Sequence, residues 1–398
     1  MSAGRTAVEQ LRADLSGMVE RGELPGAIVR IEQGGETLAD IRVGYQDVAA
    51  KTPLAEDSIF RLYSMSKPIT SIAIMMLAEQ GRLTLDDPAS RFLPEFADMR
   101  VYESGGPDDM VTVPIKRPIT VADLLSHSSG ITYHFAGVTP VHQYYRQHGV
   151  MRDTPVGRMP NDGPPAQSLD ELVARIGQAP LLRQPGEGFD YSYSTTMLGA
   201  IVERATGKRL DGALRALIFD PLEMTDTGFF VEDADLPRLV TNYAALPGGL
   251  MPIETPEGSE YRNTGRLLDG GGALAGTAQD YLNFCRMLAD GGVFKGRRLL
   301  SEDSLRAMMT PRVRAETPPL SIPFGYGFAL GDAASEASGL QPAGTASWGG
   351  SASTYFFVHP EASATALLMT HMLVMPPIET SNSLRKLVNG AAMALIER

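Results

Sequence analysis

The sequence predicts an α/β fold, an antiparallel sheet flanked by helices in α/β/α layers, with a mainly helical lobe inserted into it. Three observations carry this prediction. Strand-like runs that are neighbours in sequence are joined by short turns, which makes their pairing antiparallel. Amphipathic stretches stand at both ends of the chain, each with an apolar face to bury against that sheet. Between them, residues from about 88 to 270 are rich in proline, glycine and loops, with short helical segments. The chain is therefore divided into a discontinuous α/β domain, 1–88 and 270–398, and a helical lobe, 89–269. The candidate active site lies between the two.

The elements follow in order. A first amphipathic helix runs to about Arg21. Gly26–Glu32 and Thr37–Gly44 alternate apolar and polar residues as strands do, and Gly34-Gly35 between them marks a hairpin turn. The extended run Ser58–Tyr63 leads into a helix from Ser66 to Gln80. Ile69, Ile72, Ala73, Met76 and Leu77 line one of its faces, and much of the other side is apolar too. A helix apolar on most sides is buried. Pro68 is tolerated only in a first turn, which places the helix start just before it. Helices are expected in the lobe at Val121–Ser126, Leu169–Gln178, Thr195–Thr206 and Leu210–Ile218. Helices at Gln279–Asp290 and Glu302–Met309 follow. Strand-like runs come next at Tyr326–Gly331, Ala343–Gly349 with Ser353–Val358, and Thr365–Leu373. His359-Pro360-Glu361-Ala362 reads as a hairpin turn, and a last helix covers about Ser383 to Glu397.

Composition narrows the function. The 398 residues carry 35 Lys and Arg against 47 Asp and Glu, a net charge of −12. With no basic cluster of five or more, nucleic acid is not an expected partner. Cys285 is the single cysteine, so no intrachain disulfide forms, and its helical surroundings read as core. The six histidines lack the ligand spacing of a zinc site, so neither metal nor cofactor is expected. The first residues contain no apolar core of a signal peptide, and no run of eighteen apolar residues exists. A cytoplasmic protein without a membrane span is the expectation.

Chemistry concentrates at Ser64-Met65-Ser66-Lys67. A serine and a lysine three residues apart share one face of a helix's first turn. There the lysine can hold or take the hydroxyl proton, and free backbone N–H groups can stabilise an oxyanion. The spacing alone is weak, since only two positions are fixed. Ser383 and Lys386 repeat it on what reads as a solvated helix face. No Gly-x-Ser-x-Gly elbow is present and the histidines lack a triad context, which disfavours a Ser–His–Asp hydrolase. The base is then Lys67, with Tyr191 as its helper, in the loop Gly188-Phe189-Asp190-Tyr191-Ser192-Tyr193-Ser194 ahead of a helix.

From about residue 20 to 390 the chain resembles the serine β-lactamase-like group of class C β-lactamases, penicillin-binding proteins and family VIII carboxylesterases. Ser64 and Lys67 match its first motif. Tyr191-Ser192-Tyr193 matches its second, Tyr-x-Asn in lactamases. Trp348-Gly349-Gly350 matches its third, Lys-Thr-Gly in lactamases and often Trp-Gly-Gly in the esterases. Leu124–Gly130 and the glycine-rich Gly270-Gly271-Gly272-Ala273-Leu274 also look like the family. The resemblance implies that Ser64 is the nucleophile and that Lys67 and Tyr191 share the base role. It implies an oxyanion hole from the backbone N–H groups of Ser64 and Ser351. Trp348, Gly349, Gly350, Tyr133 and Tyr193 would contact substrate, Tyr193 being a rival for the base. His127 reads as structural.

Two departures bear on substrate. Tyr193 replaces the lactamase asparagine, and Trp348 replaces a cationic lysine or histidine that anchors a carboxylate. An indole cannot pair as a charge. Both point toward a carboxylesterase acting on short or medium acyl esters. The alternatives are an acyltransferase, a weak β-lactamase or D-Ala-D-Ala peptidase, and a sensor that acylates without turnover.

Overall fold

The computed structural model describes residues 3–154, 158–246, 248–317, 320–374 and 379–397. Its frame is a nine-stranded sheet in the order Val313–Thr317, Leu320–Phe324, Ala329–Leu330, Ala346–Gly349, Tyr355–His359, Ala364–Thr370, Gly26–Gln33, Glu36–Asp47 and Thr52–Pro53. Every neighbouring pair in it is antiparallel. Gly34 and Gly35 both adopt left-handed φ, 56° and 82°, as the tight hairpin between the first two strands requires.

Strand alternation divides the core into two layers. Ala27, Val29, Ile31, Tyr355, Phe357 and Leu368 face the terminal helices Ala3–Glu20 and Glu379–Leu395, meeting Leu11, Leu15, Leu384 and Val388. Ile28, Phe356, Leu367 and Met369 face the other way, onto the helices Ser66–Glu79 and Ala278–Ala289. The α/β/α layering is as the sequence predicts. Helix Ser66–Glu79 is buried from Ser66 through Leu77, and the helix Ser194–Thr206 packs on it.

Several elements differ from expectation. Thr365–Leu373 is not one strand: Ala364–Thr370 stays in the large sheet, while Met372–Val374 pairs in parallel with Asn242–Leu246. Buried His371 sits at the break. Within Tyr326–Gly331 only Ala329–Leu330 is strand, because Gly325 and Gly327 turn the chain there. Leu210–Ile218 starts as an α-helix and widens into a π-turn over Arg215–Phe219. The 89–269 segment also holds the hairpins Arg100–Ser104/Val111–Pro114 and Asn242–Leu246/Gly249–Glu254, and the helix Pro140–Gln147, none of which the hydrophobic pattern exposes. The same holds for the helix at Ala333–Ala337, the edge strand Val313–Thr317 and its neighbour Leu320–Phe324. Short polar elements lack the run length that makes a period readable.

Candidate active site

Ser64 stands in a single 3₁₀ turn, Tyr63–Met65, that feeds directly into helix Ser66–Glu79. Strand Ile59–Arg61, paired with Ala275–Thr277, carries the chain into this turn. Tyr63 adopts φ of 46°, left-handed for a residue with a Cβ. Its hydroxyl accepts from Asn242 Nδ2 at 2.7 Å, and the Leu62 N–H donates to the Leu274 carbonyl at 2.9 Å. These contacts hold an otherwise disfavoured backbone in place.

Three groups meet at the nucleophile. Tyr191 Oη donates to Ser64 Oγ at 2.6 Å and Lys67 Nζ donates to the same oxygen at 3.2 Å. Lys67 also donates to the Gly271 carbonyl at 2.6 Å and lies 4.7 Å from the centre of the Tyr191 ring. The lysine is 2% exposed, so its ammonium is shielded from water. The sequence-predicted trio is thus assembled, with Ser64 and Tyr191 partly exposed at the surface of the cluster.

Aromatic rings wall the trio. Tyr133 packs edge-on against Tyr191 at 5.3 Å between ring centres, and half-exposed Phe135 stacks on Tyr133 at 4.7 Å. On the other side Trp348 lies 5.5 Å from Tyr191 and 5.3 Å from Phe324. Trp348 is partly buried, and its indole N–H has no acceptor among the described residues. Gly349 and Gly350 complete the end of strand Ala346–Gly349. Gly350 approaches the nucleophile's strand so closely that a Cβ there would sit 2.5 Å from the Leu62 carbonyl oxygen and 2.3 Å from Thr354 Oγ1. Ser351 is exposed, in the turn closed by the Ser353 N–H to Gly350 carbonyl bond.

Tyr193 is placed differently from the rival-base reading. It is 2% exposed, and its hydroxyl bonds His134 Nδ1 at 2.9 Å, not Ser64. Burial pushes its phenol far above the ordinary tyrosine range, with the Asp269 carboxylate adding to the effect. Burial raises Tyr133 as well, reinforced by Tyr191. His127 is buried and bonds Ser192 Oγ at 3.1 Å, while its carbonyl accepts the Asp190 N–H. Burial, and then the Lys67 charge, push its imidazole well below the usual range, so it stays neutral and props the Tyr191 loop.

Sequence reasoning missed the group that shapes the glycine loop. Asp269 is 3% exposed; it accepts from Gly271 N–H at 2.7 Å and Thr196 Oγ1 at 2.6 Å, and pairs with Arg152 Nε at 3.1 Å. It thereby aims the Gly271 carbonyl at Lys67. Nothing in the local pattern singles out Asp269, whose partners lie 73 and 117 residues away in sequence. Cys285 is buried within helix Ala278–Ala289, away from this chemistry. Among the described residues no His, Cys, Asp or Glu cluster could hold a metal ion, and no helix is long and apolar enough to cross a membrane.

This fold, with a serine, lysine and tyrosine converging at the end of a buried helix, defines a serine hydrolase of the β-lactamase type. Residues 11–388 match the family described as Beta-lactamase, and the chain belongs to that family. Esterase EstB of Burkholderia gladioli is 32% identical over 365 residues, 87% of this chain and 86% of that one. Among solved structures, EstCE1, a hydrolase with promiscuous acyltransferase activity, superposes with a TM-score of 0.80 at 26% identity, covering 98% of both chains. A family VIII carboxylesterase shares the fold with a TM-score of 0.70 at 17% identity over 97% of both.

Proposed function

We propose that the chain is a serine carboxylesterase that hydrolyses short- or medium-chain esters through an acyl-enzyme on Ser64. The observation that carries this is the pair of hydrogen bonds converging on one Ser64 oxygen, from Tyr191 at 2.6 Å and Lys67 at 3.2 Å. The active site sits in a cleft between the discontinuous α/β domain, 1–88 and 270–398, and the helical lobe, 89–269. The esterase names of two relatives, Esterase EstB and a lovastatin esterase, support an ester as substrate.

The chemistry follows from proton bookkeeping. Tyr191, assisted by Lys67, takes the Ser64 proton as Oγ attacks the acyl carbonyl. The oxyanion is held by the backbone N–H groups of Ser64 and Ser351, where a donor is worth about 2.7–4 kcal/mol. The proton then passes to the departing alcohol, and the ester C–O bond breaks. Water, deprotonated by the same pair, hydrolyses the acyl-enzyme and regenerates Ser64. Trp348, Gly349, Gly350 and Tyr133 line the substrate, and Tyr193 supports Tyr133 from behind.

A second reading is acyl transfer to an alcohol in place of water, favoured by the transferase activity named for EstCE1. Steady-state hydrolysis of a p-nitrophenyl butyrate series and a chromogenic cephalosporin, with Ser64→Ala as control, tests the main reading. Ester turnover lost in Ser64→Ala, with little ring opening, is the expected result. Efficient ring opening with poor ester turnover would replace it by a β-lactamase, and an acyl-enzyme that persists in the mass spectrum by a non-turnover sensor. Product appearing as a new ester when an alcohol is added would establish transfer.

A further inference from the structure

A cavity of about 620 Å³ lies in the helical lobe, between the segments that carry Arg152 and Ala166 and those that carry Glu254 and Leu267. Arg152, Glu254, Glu260 and Arg266 form its floor, and the exposed Thr255 and Asn263 stand at its rim. Arg152 reaches from this floor to the glycine loop, where its Nη2 donates to the Gly272 carbonyl at 3.5 Å. A Cβ on Gly272 would lie 3.9 Å from that Nη2 and 4.0 Å from the Tyr63 carbonyl carbon. The width of one glycine thus separates the cavity floor from the residue before Ser64.

The floor carries both signs of charge in balance. Glu254 Oε2 pairs with Arg61 Nε at 2.8 Å, Arg152 pairs with Asp269 at 3.1 Å and Glu260 at 3.5 Å, and Arg266 pairs with Glu260 at 2.9 Å. Three guanidinium groups therefore meet three carboxylates. Arg266 also stacks 4.2 Å from the centre of the buried Tyr261 ring, which fixes its plane. A free ion gains little in such a field, because attraction to one sign is offset by repulsion from the other. A hydroxyl group donates and accepts at once, so it can bond a carboxylate and a guanidinium together. Ala166, Ile253 and Leu267 add apolar surface for carbon-bound hydrogens. The volume is that of a small-molecule site. An uncharged ligand with several hydroxyls on a carbon frame answers all of these features.

We propose that this cavity holds a polyol or a single sugar ring as the alcohol part of the substrate, so that the preferred esters are acylated polyols. This rests on the esterase reading. Ser64 Oγ bonds to the acyl carbon, the C–O bond to the polyol breaks, and the polyol leaves with the proton delivered by Tyr191 and Lys67. Its remaining hydroxyls, held in the cavity, orient the esterified one toward Ser64.

The test compares glucose butyrylated at its primary hydroxyl with cyclohexylmethyl butyrate, for the wild-type protein, Thr255→Phe and Asn263→Leu. The two esters share the acyl group and a six-membered ring and differ in the free hydroxyls. The quantity read is the ratio of kcat/KM for the sugar ester over the cyclohexyl ester. In the wild type that ratio is about tenfold to a hundredfold, as a few net hydrogen bonds predict. Thr255→Phe, which fills the rim, and Asn263→Leu, which removes a polar group from it, bring the ratio toward one, mainly through KM. A wild-type ratio near one overturns the proposal. So does a ratio that both variants leave untouched, which would place hydroxyl recognition elsewhere, or an equal loss on both esters, which would make the rim a structural element. Turnover of p-nitrophenyl butyrate with neither ester hydrolysed overturns it as well. Failure of the wild-type protein on all three esters would instead remove the esterase reading on which the proposal stands.

Discussion

Tyr191 and Ser64 lie 127 residues apart in the chain, and their side-chain oxygens are 2.6 Å apart. The bond exists because the loop before helix Ser194–Thr206 is pinned by His127, whose carbonyl accepts the Asp190 N–H at 2.8 Å. Helix Ser194–Thr206 in turn packs on the helix that begins just after Ser64.

Tyr191→Phe keeps the ring contacts with Tyr133 and Trp348 and removes only the hydroxyl. kcat for a p-nitrophenyl ester should fall by about 10²–10⁴, the usual worth of a positioned base. Thermal unfolding should barely move. Near-wild-type turnover would take the base role away from Tyr191.

Asp269→Asn removes the buried charge that faces Arg152 and weakens the acceptor for Thr196 and the Gly271 N–H. Removing one member of a buried pair is costly, and Glu260, 3.5 Å from Arg152, offsets part of it. A loss of about 2–3 kcal/mol in urea unfolding is expected. Because the Gly271 carbonyl then loses its fixed aim at Lys67, kcat should drop alongside stability. A folded variant with unchanged kcat would show that the loop does not position the lysine.

Gly350→Ala forces a methyl against the Leu62 carbonyl and Thr354. Backbone cannot yield as a side chain can, so the strand end must move away from the nucleophile's turn. The expected outcome is a fall in kcat of about tenfold or more, since small misplacements of reacting groups are expensive. Ser64 labelling by a fluorophosphonate should slow in parallel. Labelling at the wild-type rate would contradict this account.

His371 governs part of the acid stability. It is 1% exposed, and burial, with the Arg61 charge adding to it, pushes its imidazole down to about 3. The native state therefore keeps it neutral while the unfolded chain protonates it below about 6.5. Unfolding then takes up a proton, so stability is complete above pH 6.5 and is lost as pH falls toward 3. At pH 5 the loss is roughly 2 kcal/mol, from 1.36 kcal/mol for each pH step. Urea midpoints at pH 7 and 5 should diverge less in His371→Leu than in the wild type. Buried His127 works in the same direction, so some slope remains. An identical pH dependence in both proteins would exclude His371 as a contributor.

Much of the site is legible in the amino-acid sequence because its signals are local. Ser64 and Lys67 stand three residues apart across the start of a helix, Pro68 marks that start, and two glycines in left-handed φ make the Gly34-Gly35 hairpin. Asp269 and Arg152 give no such signal. An aspartate before three glycines looks like any turn, and an arginine in a loop looks solvated. Tyr193 is misleading for the same reason: two tyrosines two residues apart look equivalent in sequence, but their hydroxyls meet different partners. One reaches Ser64 and the other His134.

The amino-acid pattern by itself determined the antiparallel sheet with its flanking helices, the start of the helix after Ser64 and the three-residue spacing of Ser64 and Lys67. Periodicity and turn chemistry act over a few residues, and the sequence displays them directly. The tertiary structure decided which tyrosine meets the serine and how Asp269 aims a carbonyl at Lys67. Those outcomes depend on pairings between residues that are distant in the chain. Burial makes each such pairing, or its absence, energetically decisive, because a polar group shielded from water must be satisfied by whatever packing brings beside it.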